Sequence, residues 1–382
     1  MRAPEAPALP APYATPSARN PPRIVPRPRG ALPQAPEGFE VTRFAGGFEG
    51  ARWMAEAPNG DIFVTDHVAS SVWVLTDADH DGRADGPRRR FVANLAQPFG
   101  IAFHPDGWLY VACTDGVMRW RYRPGQRVAE GRADEVVALP GEGYNQHWTR
   151  NLIVSPDGRA LYVTVGSETN NEPEADPRRA AISTMAPDGG GFRVFAGGLR
   201  NPVGMAFRPD TETLYAVVNE RDGLGDGLVP DYFTSVRDQG FYGWPYAYFG
   251  PNEDPDRRGE RPDLVARAVV PDLALGAHVA ALGLVFPTRG ALGVARGDAL
   301  VSLHGSWNRA QRVGYKVVRV HFEGDRPVSL DDRLTGFVLA DDTVWGRPVG
   351  LVERSDGALL VADDAGGVIW QVTRRRGPAP VR

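Results

Sequence analysis

The sequence predicts an all-β fold, a six-bladed β-propeller of four-stranded antiparallel blades, and two observations carry that prediction. A turn tripeptide followed by a short apolar strand recurs six times, and the runs flanking each turn have the length and the β-branched or aromatic content of sheet strands. No helical period competes with them. In chain order, Pro58-Asn59-Gly60 precedes Asp61-Ile62-Phe63-Val64, and Pro105-Asp106-Gly107 lies between Gly100-Ile101-Ala102-Phe103 and Trp108-Leu109-Tyr110-Val111. Pro156-Asp157-Gly158 precedes Ala160-Leu161-Tyr162-Val163, and Pro209-Asp210 precedes Thr213-Leu214-Tyr215-Ala216. Thr288-Arg289-Gly290 heads a degenerate copy, and Ser355-Asp356-Gly357 precedes Ala358-Leu359-Leu360-Val361. Proline sets φ at the first corner of such a turn and glycine accepts positive φ at the last. The first four turns are about 50 residues apart, the length of one propeller blade, and the longer later intervals predict insertions near 220–275 and 304–345.

The chain divides into a Pro/Ala-rich leader at 1–37, a propeller at 38–373 and a basic tail at 374–382. Eleven prolines in the first 36 residues suit a disordered or extended, poorly packed leader, whose deletion is expected to leave the melting temperature almost unchanged. The leader lacks the apolar middle of a signal peptide, so an export signal was either removed or never present. With 42% hydrophobic and 24% charged residues the composition is that of a soluble globular protein, and a net charge of −4 gives no reason to expect nucleic acid or an anionic membrane as partner. Arg88-Arg89-Arg90 and Arg374-Arg375-Arg376 read as solvated surface, and Lys316 is the only lysine. Cys113 is the only cysteine, which excludes an intramolecular disulfide and reads as a buried small hydrophobe. No apolar run reaches the roughly 18 residues of a transmembrane segment.

In a propeller, function sits where the innermost strands converge at one mouth of the channel. Counting back from each turn, His147 lies ten positions before Asp157 and Arg200 ten before Asp210, while Arg347 lies nine before Asp356 and Arg52 seven before Asn59. Blade pseudo-symmetry therefore predicts that these four side chains meet. Polar residues also begin strands simply because the chain leaves a wet loop. A His and three Arg beside Asn201 point further, because clustered guanidiniums repel unless an anion such as a polycarboxylate or phosphate sits among them. A titratable His beside that anion suits acid–base work.

Three segments carry a family resemblance: Gly198-Leu199-Arg200-Asn201-Pro202-Val203-Gly204, Gly240-Phe241-Tyr242-Gly243-Trp244-Pro245 and His304-Gly305-Ser306-Trp307-Asn308-Arg309. In this order and inside this repeat they resemble the soluble pyrroloquinoline-quinone (PQQ)-dependent glucose/sorbosone dehydrogenase family, six-bladed propellers that oxidise aldoses or related sugars. The resemblance covers about residues 38–373. It implies that His147 is the general base, that Arg200 and Asn201 hold the quinone, and that Arg347 clamps a carboxylate. It also implies a Ca²⁺ at the cofactor, held by the backbone carbonyls of Arg221 and Asp222, while Glu220, Asp226 and Asp231 remain open as ordinary loop carboxylates. Arg52 is implied to contact sugar hydroxyls.

Two departures from the family pattern point to its sorbosone-like branch. Ser167 stands where an Asp orients the base, with Glu168 next to it, and His304 or Arg309 stands where a lysine sits beside the quinone. On this reading His147 takes a hydroxyl proton while hydride passes to the quinone, and two electrons leave to an external acceptor, a quinone or a cytochrome. The family's usual home is periplasmic. The alternatives are a propeller sugar lactonase or other hydrolase, which would need acidic and amide side chains at the channel, and a non-enzymatic ligand-binding propeller. No Gly-x-Ser-x-Gly elbow supports nucleophilic catalysis.

A second constellation is Asp77-Ala78-Asp79-His80-Asp81-Gly82-Arg83-Ala84-Asp85, with alternating carboxylates and a glycine where a Ca²⁺ loop turns. Arg88 occupies the twelfth position, where such a loop ordinarily has Glu. Asp77, Asp79, Asp81 and Asp85 thus read either as a peripheral Ca²⁺ site or as an unmetallated acidic turn.

Overall fold

The computed structural model describes residues 8–141 and 147–375. Among them are six four-stranded antiparallel sheets, one per repeat, with a small two-stranded sheet in addition. Blades I to VI begin with the inner strands Ala51–Glu56, Ile101–His104, Leu152–Val154, Asn201–Phe207, Ala281–Val285 and Pro348–Glu353. Each inner strand pairs with the strand that follows its turn, so every turn read from the sequence is the hairpin between the first two strands of a blade. Blade IV lacks the turn glycine, and Asp210 itself takes the positive φ of 62° there. The predicted insertion at 220–275 is real: the third strand of blade IV, Pro230–Ser235, is followed by a hairpin at 247–253 and a short helix, Pro262–Arg267, before the outer strand Leu273–Ala277. The longer interval at 304–345 contains two long strands, Lys316–Glu323 and Arg326–Leu334.

The ring closes by strand exchange between the two ends of the repeat. Phe39–Gly46 pairs with Val368–Arg374 and forms the outermost strand of blade VI, so the last sheet is built from both ends of the propeller. Aromatic side chains fill the spaces between blades. Phe63 of blade I packs edge-on against Phe91, Phe103 and Tyr122, with ring centroids 5.0–5.4 Å apart, and burying one such ring contributes about 1.5–3 kcal/mol.

The channel is narrow because glycines line it where neighbouring backbones nearly touch. A Cβ on Gly204 would lie 2.5 Å from the Leu282 carbonyl of blade V, one on Gly283 2.2 Å from Val349 O of blade VI, and one on Gly350 2.4 Å from Arg52 O of blade I. Polar side chains stitch successive blades together: Thr65 to Phe99 O, Thr114 to Trp148 O, Asn151 to Val203 O, Asn219 to Ala281 O and Ser302 to Val349 O. The seam from blade VI back to blade I carries the ion pairs Arg52–Asp364 and Asp77–Arg354.

The leader departs from expectation in its packing. Tyr13 N donates to Leu224 O (2.7 Å), Asn20 N to Trp307 O (2.8 Å), Val25 N to Val344 O (2.9 Å) and Gln34 N to Thr335 O (2.8 Å), and the Arg27 guanidinium lies over Trp370. Extended proline-rich backbone has no internal hydrogen bonds, so its remaining polar groups pair with the loop edges it crosses. Arg88 and Arg90, read as solvated, lie with their guanidiniums over Trp73. Cys113 is buried, and burial pushes its thiol up to about 12. Residues 376–382 of the basic tail lie outside the described residues.

Candidate active site

One cleft at the channel mouth is lined by Arg52, His147, Arg200 and Arg347, so the four positions counted from the turns do converge. Antiparallel pairing also brings the end of each second strand to this mouth, and from there come Asn219, Glu220 and Asp222 of blade IV, Ser167 of blade III and Asp364 of blade VI. Trp148, Thr149, Asn201, Asp231, His278, His304, Trp307 and Asn308 complete the lining. Trp307 stands 41% exposed at the rim.

His147 is buried, with Nδ1 at 2.9 Å from the Ser167 carbonyl and 3.0 Å from Ser167 Oγ. The Ser167 hydroxyl donates to Thr169 O (2.6 Å), so both oxygens near Nδ1 act as acceptors. Nδ1 therefore carries the proton and Nε2 keeps the lone pair. Burial first, and Arg200 second, hold the imidazole down at about 3, so it is neutral near pH 7. Glu168 does not reach this His; it faces Arg179. Gly166 is required by close approach, since a Cβ there would lie 2.4 Å from Asn201 Oδ1 and 2.6 Å from His147 Cβ.

Arg200 donates to Asn170 O (3.0 Å), Asn170 Oδ1 (2.9 Å) and Glu220 O (2.8 Å), and lies 3.6 Å from the Asp222 carboxylate. Arg52 pairs with Asp364 and lies over the Phe99 and Trp148 rings. Asp364 also accepts from His304 Nε2, at 3.0 and 3.1 Å to its two oxygens. Burial opposes ionisation of Asp364, but His304 and Arg52 outweigh it and hold the carboxyl well below the usual range. Burial, then Arg347, lowers His304 to about 4. Arg347 donates to His304 O (3.2 Å) and Gly305 O (3.0 Å), and among the described residues no carboxylate stands within ion-pair distance of it. Arg52 Nε, Thr149 Oγ1, Asn201 Oδ1 and Glu220 Oε1 are buried without partners in the same cleft. A cation with no ion-pair contact among the described residues, beside orphaned polar atoms, fits a polar, anionic ligand.

Several expectations need correction. Arg309 does not line the cleft: its Nε faces Asp226 at 3.4 Å. Asn308 takes the inward place, donating to Asp222 Oδ1 (2.6 Å) and bonding to His278 Nδ1 (3.0 Å), which turns its chain neighbour outward. The Asp222 carbonyl already accepts from Asn170 Nδ2 (3.0 Å) and Arg221 Nε (3.1 Å), and Arg221 lies behind the wall, its guanidinium on Asp254 and Asp256. Burial instead raises the Glu220 carboxyl to about 8 and that of Asp231 to about 6. At the acidic turn, oxygens of Asp77, Asp79 and Asp81 lie within 4.8 Å of one another, while Asp85 stands outside the group and accepts from Ala78 N (2.6 Å).

Sequence reasoning missed Asp364, His278, Asn308 and Trp307. The last two lie inside a motif already singled out. Asp364 could have been found by counting second-strand ends as well as inner-strand starts.

Fold and cleft together define a six-bladed propeller whose channel mouth presents guanidiniums around a neutral, buried imidazole. A model of the TrAA12-like family matches residues 33–229 and 260–375, and the chain belongs to that family. A pyrroloquinoline quinone-dependent pyranose dehydrogenase of Coprinopsis cinerea is 28% identical over 423 residues, covering 92% of this chain; the chain spans 56% of that relative's length. Among solved structures, the calcium structure of a Trichoderma reesei carbohydrate-active enzyme of family AA12 superposes with a TM-score of 0.78 at 23% identity, covering 90% of this chain and 97% of the other. The holo form of the PQQ domain of the Coprinopsis cinerea pyranose dehydrogenase superposes with a TM-score of 0.76 at 23% identity, covering 91% and 98%. Among the described residues no helix is long and apolar enough to cross a membrane.

Proposed function

We propose that this protein is a quinoprotein that oxidises an aldose or related sugar, with PQQ and Ca²⁺ as cofactors, outside the cytoplasm, and that it passes electrons to an external quinone or cytochrome. The observation that carries the proposal is Arg347, a cleft cation with no carboxylate within ion-pair distance among the described residues, in one cleft with an imidazole whose Nε2 keeps its lone pair. The residues fit the anionic quinone: Arg200, Arg347 and His304 would hold it, Asn201 Oδ1 and Arg52 Nε are unpartnered beside it, and Trp307 stands at the rim. A Ca²⁺ would take oxygen ligands from the 220–222 loop, the backbone carbonyls of Arg221 and Asp222 and the unpartnered Glu220 Oε1. Bound there, the quinone supplies an electrophilic carbon that accepts hydride.

The chain's own residues handle the proton and the geometry. His147 Nε2 takes the proton from the sugar hydroxyl as the carbon–hydrogen bond breaks, and a lactol becomes a lactone. The imidazolium keeps its Nδ1–H on the Ser167 carbonyl, which stabilises the positive charge. An anion on Arg200 offsets the repulsion that helps hold His147 near 3, so ligand arrival strengthens the base. Trp148, stacked on His67 at 4.6 Å, lines the cleft next to His147.

A second reading has its own support. Glu220, Asp231, Asn201 and Asn308 provide acidic and amide donors suited to Ca²⁺-dependent lactone hydrolysis. The experiment is a titration of chelator-stripped protein with PQQ, with and without Ca²⁺, followed by an aldose panel with a dye acceptor and a lactone panel without quinone. The expected result is Ca²⁺-dependent binding with sugar-dependent dye reduction, and Arg200→Ala should weaken quinone binding at least about tenfold, since a charge-assisted contact is worth a few kcal/mol. No quinone binding would overturn the proposal, and lactone hydrolysis would replace it.

A further inference from the structure

The seam between blades VI and I carries an acidic loop on its outer side. Asp77 leaves the third strand of blade I, Ser71–Leu75, and its side chain is only 2% exposed. One carboxylate oxygen, Oδ2, accepts from Arg354 Nη1 of blade VI at 2.8 Å, and the same nitrogen donates to Gln371 of that blade's third strand at 3.0 Å. The other oxygen, Oδ1, is buried and has no partner. Beside it stand the exposed carboxylates of Asp79 and Asp81, with an oxygen from each of the three residues inside a 4.8 Å group. A buried carboxylate oxygen without a partner, on a residue whose carboxylate is grouped with two others, is costly unless a cation neutralises the group. Asp79 and Asp81 border a solvent-open cavity of about 720 Å³ that also touches Glu40, Thr373 and Arg374, so an ion can enter from outside.

The loop is also tied to the strand exchange that closes the ring. Ala84 N donates to Phe44 O (2.8 Å) in the exchanged strand, and Gly82 lies so close to blade VI that a Cβ would sit 2.2 Å from Gln371 Nε2. At this seam the Asp77 carboxylate is bonded to Arg354. We propose that Asp77, Asp79 and Asp81 bind a hard divalent cation of the Ca²⁺ class, and that the cation latches blade I to blade VI. It satisfies Asp77 Oδ1, neutralises the loop and fixes the carboxylate that grips Arg354. The site is remote from the channel mouth and independent of the reaction proposed there.

The test uses the full chain, stripped of metal with EDTA, in a Ca²⁺ titration by calorimetry and in hydrogen exchange with and without Ca²⁺. The Asp79→Asn/Asp81→Asn double variant alters only exposed side chains and leaves Asp77–Arg354 in place. It is expected to bind one equivalent of Ca²⁺ fewer than the parent, any cation in the cleft being retained. In the parent, Ca²⁺ at 100 times its dissociation constant should slow exchange through opening of the 39–46 strand by up to about 100-fold, and in the double variant this protection should vanish. Equal stoichiometry in the two proteins would overturn the site. Binding without slower exchange at 39–46 would overturn the latch.

Discussion

The neutral, buried state of His147 has a consequence for folding that needs no cofactor to observe. Its imidazole lies at about 3 in the folded protein against 6.5 when unperturbed, because of burial and then Arg200. Between these two values the unfolded chain binds one proton more than the native one, so stability rises with pH in this window and is lost as pH falls through 6.5 toward 3. From pH 7 to pH 5 the loss due to this group amounts to about 2 kcal/mol, with 1.36 kcal/mol for each pH unit below 6.5. The perturbation is His147→Asn, which places an amide where Nδ1–H donates to Ser167 and removes the titration. Urea unfolding of parent and variant at pH 7 and pH 5 measures the difference directly. The parent should lose about 2 kcal/mol more than the variant, because His304 and the other acid-sensitive groups are common to both. Parallel losses would mean that the native imidazole titrates near 6.5, and the account of a proton-free Nε2 held ready by burial would be refuted.

Two other outcomes are expected. Gly166→Ala forces a methyl against Asn201 Oδ1 and His147 Cβ, so it should destabilise by about 1–3 kcal/mol in a melting experiment and lower turnover by up to about 100-fold through displacement of the imidazole. Deleting residues 8–36 removes the pairings of Tyr13, Asn20, Val25 and Gln34 with the propeller loops, so the melting temperature should fall by about 2–5 °C, contrary to the expectation from composition.

The propeller was legible because its information is local. Each Pro-Asp-Gly turn and its two apolar runs specify one hairpin regardless of what the rest of the chain does, and six such hairpins leave little choice of architecture. The convergence of Arg52, His147, Arg200 and Arg347 was legible for the same reason, since a repeat converts equal offsets into equal places. What resists this reading depends on contacts between residues distant in sequence. Ser167 orients His147 through a hydroxyl committed to Thr169, and no rule of offsets distinguishes it from the neighbouring Glu168. Arg309 and Asn308 are adjacent, and only the hydrogen bonds of Asn308 to Asp222 and His278 decide which one faces inward. Asp364 became visible as the partner of Arg52 and His304 only once blade VI met blade I.

By itself, then, the sequence determined the strand pattern, the number of blades and the ring of His and Arg at the channel, all properties of short segments and their repetition. Tertiary structure alone decided the tautomer of His147, the backbone carbonyls that Arg347 finds as partners, the anchoring of the leader and the seam where Asp77 grips Arg354. Those depend on which groups lose water together and which partner each one finds, and burial and pairing are properties of the assembled ring.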